Sequence, residues 1–162
     1  MQKIIPFLWF NDNAEEAINL YTSIFKDSKL GKVARYDEAG AKASGRPAGS
    51  IMTATFQLFG QDFIALNGGP HFKFTEAISF VVNCETQEEV DYYWEQLTKN
   101  GGAESQCGWL KDKFGLSWQI VPTILSKLLS DKDGQKSQRA MKAMLQMKKI
   151  DIAALQQAAE GK

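Results

Sequence analysis

The strongest constraint on this 162-residue chain is that it repeats itself. Ile5, Phe7 and Trp9 recur as Ile78, Phe80 and Val82, two alternating apolar runs with the period of a strand. The segments that follow also match. Glu15-Glu16 falls on Glu88-Glu89, and Ala17, Tyr21 and Ile24 fall on Val90, Trp94 and Leu97. Further on, Phe59-Gly60-Gln61-Asp62-Phe63 reappears as Phe114-Gly115-Leu116-Ser117-Trp118, each a turn glycine leading into a strand. A duplicated half-domain restricts the fold sharply, because both copies must bury the same pattern in the same layers.

Ala14, Ala17, Ile18, Tyr21, Ile24 and Phe25 have the spacing of one helical face, with Asn and Asp residues just ahead of them as N-caps. In the second copy, Thr86-Gln87-Glu88-Glu89 has the form of a capping box. Thr86 is placed to accept from the Glu89 amide while Glu89 reaches back. The stripe Val90, Tyr93, Trp94 and Leu97 then ends at Asn100-Gly101-Gly102. Each half therefore reads strand, helix and three further strands: 3–10, 14–25, 29–36, 50–59 and 62–67, then 77–83, 87–100, 103–107, 109–113 and 116–121. The longer first-half loop, 37–49, is rich in Gly, Ala and Ser and reads as a flap.

The expected class is α+β, with two paired βαβββ modules forming a concave mixed sheet and C-terminal helices behind them. Residues 1–122 form one domain in this reading, with modules over about 1–70 and 76–122. Residues 123–162 form a helical extension packed on the domain or on a dimer partner. Ile124, Leu125, Leu128 and Leu129 mark its first helix, Asp131 to Gly134 a turn, and Ala140, Met141, Met144 and Leu145 the next. Asp151 caps a last helix bearing Ile152 and Leu155, and Met141, Met144 and Met147 read as a core or interface stripe.

Charge narrows the function classes. Lys plus Arg and Asp plus Glu are both 19, so the basic excess of a phosphate-binding surface is missing and nucleic acid is not an expected partner. The balance is uneven, with 8 basic and 4 acidic residues after Pro122 against 11 and 15 before it. No window reaches the ~18 apolar residues of a membrane span, and the amino-terminal run containing Pro6 lacks a cleavage site. A cytoplasmic protein with no membrane contact is expected. Cys84 and Cys107 are isolated and expected to be reduced thiols.

Period-2 alternation sorts the strand residues by face. The helix-packing set is Ile5, Phe7, Trp9, Met52, Ala54, Phe56, Leu58, Phe63, Ala65, Ile78, Phe80, Val82, Trp118 and Ile120. The opposite set holds Pro6, Leu8, Ile64 and Val81 among polar residues. Those polar residues, Thr53, Thr55, Gln57, Asp62, Ser79, Ser117 and Gln119, are the candidate binding residues, since small-molecule pockets are mainly apolar with a few polar anchors.

The chain resembles the PhnB-like group of the vicinal oxygen chelate superfamily, also called glyoxalase/bleomycin-resistance/dioxygenase. The residues that carry the resemblance are Pro6-Phe7-Leu8-Trp9-Phe10, Ala14-Glu15-Glu16-Ala17 through Tyr21, Asn67-Gly68-Gly69-Pro70, Phe72-Lys73-Phe74, and Asp112 through Gln119. The segment from Ala143 to Ile152 looks like the group's helical ending. The resemblance implies paired βαβββ modules and a homodimer whose interface helps form the cavity. It also implies, for metal-dependent members, four His or Glu ligands on the first and last strands of each module. Those slots fall here near Ile4 or Pro6, Ile64, Ala77 or Ser79, and Gln119, and none is His, Asp or Glu. A metal-free protein without cofactor is therefore expected.

The group is also labelled demethylubiquinone methyltransferase-like, yet the chain has no Gly-rich strand-to-helix loop and no doubly wound βα pattern for an adenosine cofactor. Three functions compete. One is metal-free binding of a small organic molecule in a cup formed by the dimer. A second is an enzyme of glyoxalase-like, dioxygenase or methyltransferase type on a small oxygenated substrate, with Asp62 or His71 as acid or base. In the third, the sheet is a scaffold and the basic Met-rich tail assembles partners.

Overall fold

The computed structural model describes residues 2–162, leaving Met1 outside. The chain divides into two compact units on either side of the Lys73–Phe74 junction.

In the first unit, Ala14, Ala17, Ile18 and Tyr21 bury one face of helix α1 (Ala14–Ile24). Helix α1 follows strand β1 (Phe7–Phe10). After it come β2 (Lys29–Arg35), α2 (Glu38–Ser44), β3 (Ile51–Leu58) and β4 (Gln61–Asn67). The strands lie in the order β1-β4-β3-β2, with β1 parallel to β4 and the other pairs antiparallel. The stacked rings of Tyr21, Phe56 and Phe63 form the centre of the helix–sheet layer.

The second unit reproduces this topology. It runs β5 (Ser79–Cys84), α3 (Gln87–Thr98), β6 (Ala103–Glu104), β7 (Trp109–Lys111) and β8 (Ser117–Pro122), in the order β5-β8-β7-β6 with β5 parallel to β8. The expected α+β class with paired βαβββ modules is observed. Helices α4 (Thr123–Leu129), α5 (Gly134–Met144) and α6 (Ile152–Glu160) follow in the same unit. Leu125, Ile150 and Leu155 form their core, with Met144 and Met147 packed against it, while Met141 is exposed. The segment between α5 and α6 is tied to the module by hydrogen bonds from the Cys107 and Gly108 amides to the Met147 and Lys148 carbonyls. Gln87 adds two more, donating to the Ile150 carbonyl and accepting from the Ile152 amide.

Four local expectations are corrected. On β1 the faces are reversed: Leu8 lies opposite Ala65 and is buried with Phe10, whereas Phe7 and Trp9 share the other face with Ile64 and Leu66. Both faces of this strand are apolar, so alternation had no contrast to read and the register to β4 decided it. Ile78 precedes β5 and is 70% exposed instead of packing on a helix. Asn13, the residue before α1, makes no side-chain cap; Asn67 at the end of β4 accepts from the Ala14 amide at 2.9 Å instead. In the capping box Thr86 does accept from the Glu89 amide, but Glu89 reaches the Glu85 amide, one residue earlier than expected. The flap also contains α2, capped by Asp37 and closed by Gly45 in the left-handed region.

Candidate functional site on the open sheet faces

Each sheet packs a helix on one face and leaves the other open, and the seven candidate residues divide between those open faces. In the first unit, Thr53, Thr55 and Gln57 alternate along β3 opposite Leu66, Ile64 and Asp62. All six are half-buried, and the exposed Phe7 lies beside Ile64. Lys29, Gly31, Thr55, Gln57 and Asp62 line a cleft of about 90 Å³.

The polar atoms of this face are largely committed. Gln57 Nε2 donates to Asp62 Oδ1 at 2.5 Å, and the Asp62 backbone is clamped by both ends of the Gln2 amide. Thr55 Oγ1 accepts from the Lys32 amide at 2.7 Å, filling the irregularity in the β2–β3 pairing next to Gly31. Trp9 donates from its indole to the Gly69 carbonyl and packs edge-on against Phe72. His71, exposed in the loop after β4, lies beside Gly69.

In the second unit, Ser79, Ser117 and Lys111 form one row across β5, β8 and β7, and Val81, Gln119 and Trp109 form the next. Gln119 Nε2 donates to Ser79 Oγ at 2.9 Å. Ser117 is 1% exposed and its hydroxyl has no hydrogen-bond partner. Lys111 pairs with Glu76, and that hydrogen bond is the main reason the Glu76 carboxyl is held below its ordinary value. Lys111 and Glu76 were not among the sequence candidates. The alternation of Trp109 and Lys111 along an expected strand was a signal, but the residue they face depends on the register.

Beneath this face Asp112, 2% exposed, accepts from the Phe114 and Leu116 amides and from the Trp118 indole. It shapes the β7–β8 turn and turns Trp118 toward the core. Cys84, on the helix side of β5, is fully buried, and burial pushes its thiol up to about 12.

The slots that metal-dependent relatives use do not fit a metal in this chain. Of the residues there, Gln119 offers one neutral amide oxygen and Ser79 a weak hydroxyl, which fall short of the anionic or imidazole set that holds a divalent ion. Among the described residues no three His, Cys, Asp or Glu side chains gather into a ligand set.

Residues 2–121 match the family model described as 3-demethylubiquinone-9 3-methyltransferase. The chain belongs to this family. Among solved structures it is similar to a PhnB protein from Bacillus cereus titled a putative 3-demethylubiquinone-9 3-methyltransferase. The two are 40% identical, with 75% of this chain and all of that one covered at a TM-score of 0.66. Protein PA1353 from Pseudomonas aeruginosa shares the fold at 21% identity and TM-score 0.59, covering 75% of this chain and 98% of its own. So does the fosfomycin resistance protein FosX from Listeria monocytogenes, at 14% identity, TM-score 0.51 and coverage of 78% and 97%. No curated protein matches the sequence. This PhnB-like match stops before the three C-terminal helices, so the resemblance of their sequence to a group ending lies outside it. No helix among the described residues is long and apolar enough to cross a membrane.

Proposed function

We propose that this PhnB-like protein binds a small organic molecule on its open sheet faces, without a metal and as a homodimer. The observation that carries the reading is the second sheet's open face, where Gln119 sits between the apolar side chains of Val81 and Trp109, with Ser79 and Ser117 in the neighbouring row. That mixture of a few polar anchors on apolar surface is the composition of a ligand site. The first sheet's cleft, at about 90 Å³, is well below the ~300 Å³ at which organic ligands are usually enclosed, so further wall is needed and dimerisation is the proposed source. Transfer of a methyl group needs a cofactor cradle, and the chain has no Gly-rich strand-to-helix loop for an adenosine cofactor.

Native mass spectrometry of freshly purified protein, followed by the denatured spectrum, tests this directly. A dimer carrying an organic mass that is lost on denaturation is the expected result. A monomer with no retained molecule, or a stoichiometric divalent ion, would overturn it.

A further inference from the structure

Ser117 opens β8, the strand between β5 and β7, and its backbone lies opposite Ser79 on one side and Lys111 on the other. Residues paired across a sheet share a face, so the Lys111 side chain rises on the same face as the Ser117 hydroxyl. Its ammonium group pairs with Glu76, which lies in the turn leading into β5. The row thus carries a buried hydroxyl with no partner next to a lysine whose ion pair is exposed, its two side chains at 43% and 61%.

These two features have opposite energetics. A buried hydroxyl without a hydrogen bond is a standing cost, whereas an exposed ion pair contributes little and exchanges readily. A carboxylate that replaced Glu76 on Lys111 and also accepted from Ser117 Oγ would keep the first interaction and gain the second. Gln119 Oε1 remains to accept from a ligand hydroxyl, because the amide nitrogen is already used on Ser79. Val81, 52% exposed, and Trp109 border the row and offer apolar contact for a short carbon skeleton.

We propose that the Ser79–Ser117–Lys111 row is a carboxylate-binding site for a small organic acid, and that Glu76 is an internal stand-in which the ligand displaces. This rests on the small-molecule reading above and names the ligand class for the second sheet.

The test is titration of the full chain with glycolate, followed by amide and side-chain NMR shifts, with glycolamide as the uncharged control. Glycolate should give a saturable response at Lys111, Ser117 and Gln119, and glycolamide none. Glu76→Gln removes the internal competitor and should tighten glycolate binding about two- to fivefold. Lys111→Met should weaken it at least tenfold, and Ser117→Ala at least threefold with no fall in the unfolding midpoint. Absence of saturation in Glu76→Gln, or equal affinity in Lys111→Met and the parent, would overturn the site. A retained neutral molecule in native mass spectrometry with no glycolate response in any variant would remove the carboxylate site and leave the wider binding reading standing. Failure of both experiments would remove both.

Discussion

The open faces of the two sheets differ in what their polar groups do, although the two sheets have one strand order. In the first unit Gln57 holds Asp62, Gln2 holds the Asp62 backbone, and Thr55 fills a strand irregularity. In the second, Ser117 is buried without a partner, and its strand neighbour Lys111 is in an exposed pair with Glu76. Duplication has kept the helix-packing side alike and let the open side diverge. The physical reason is that the packed side is constrained by volume at every position, while a polar open side only has to avoid unpaired buried atoms. The second sheet does not avoid them at Ser117, which is why the binding proposal centres there.

The largest expected contrast is chemical. Cys84 lies on the sealed side of the second sheet with its thiol pushed up to about 12, so at pH 8 alkylation should modify Cys107 about a hundredfold or more faster than Cys84. Comparable rates would mean that the helix side opens readily. The same shift sets a sign for stability. Above the ordinary thiol value of 9.0 the unfolded thiol ionises while the folded one stays protonated, so stability should fall as pH rises from about 9 toward 12. Cys84→Ala should flatten that decline in urea titrations.

Next come the buried polar anchors that differ between the units. Asp112→Ala strands two backbone amides and an indole N–H and should cost about 3–5 kcal/mol by urea unfolding. Asn67→Ala strands the Ala14 amide and leaves the Ile51 carbonyl without its donor, for about 2–3 kcal/mol. If Asp112→Ala proved the milder, the buried carboxylate would not be the organiser of the second sheet's turn.

Smaller effects separate packing from capping. At Gly68 an added Cβ would lie 2.3 Å from the Trp9 ring, so Gly68→Ala must shift that ring and is expected to lose about 1–3 kcal/mol, visible as a changed indole signal. Thr86→Ala removes only the local cap of α3 and should cost about 1 kcal/mol. At the low end, Thr55→Ala loses the acceptor of the Lys32 amide and should be destabilising by roughly 1 kcal/mol, whereas Ser117→Ala should be neutral or slightly stabilising. Equal losses at the two positions would erase the difference between the open faces.

Much of this was legible in the residues. The repeat gave the strand–helix–three-strand order twice, and the stripes Ala14–Ala17–Ile18–Tyr21 and Val90–Tyr93–Trp94–Leu97 named the buried helix faces. The alternation of Thr and Gln with Ala, Phe and Leu along β3 assigned both of its sides, because polar and apolar residues give contrast. On β1 every residue from Phe7 to Phe10 is apolar, and the assignment failed there for want of contrast.

The sequence by itself determined the class, the duplication, the helix faces and the polar set from which a site can be built, since these depend on local periodicity and hydrophobicity. Only the tertiary structure decided the rest. It put Asn67 in place of Asn13 as the cap of α1, placed Lys111 beside Ser117, and paired Lys111 with Glu76. These are relations between residues distant in the chain, fixed by strand register and long-range pairing, and no local pattern encodes which side chain a given strand position will meet.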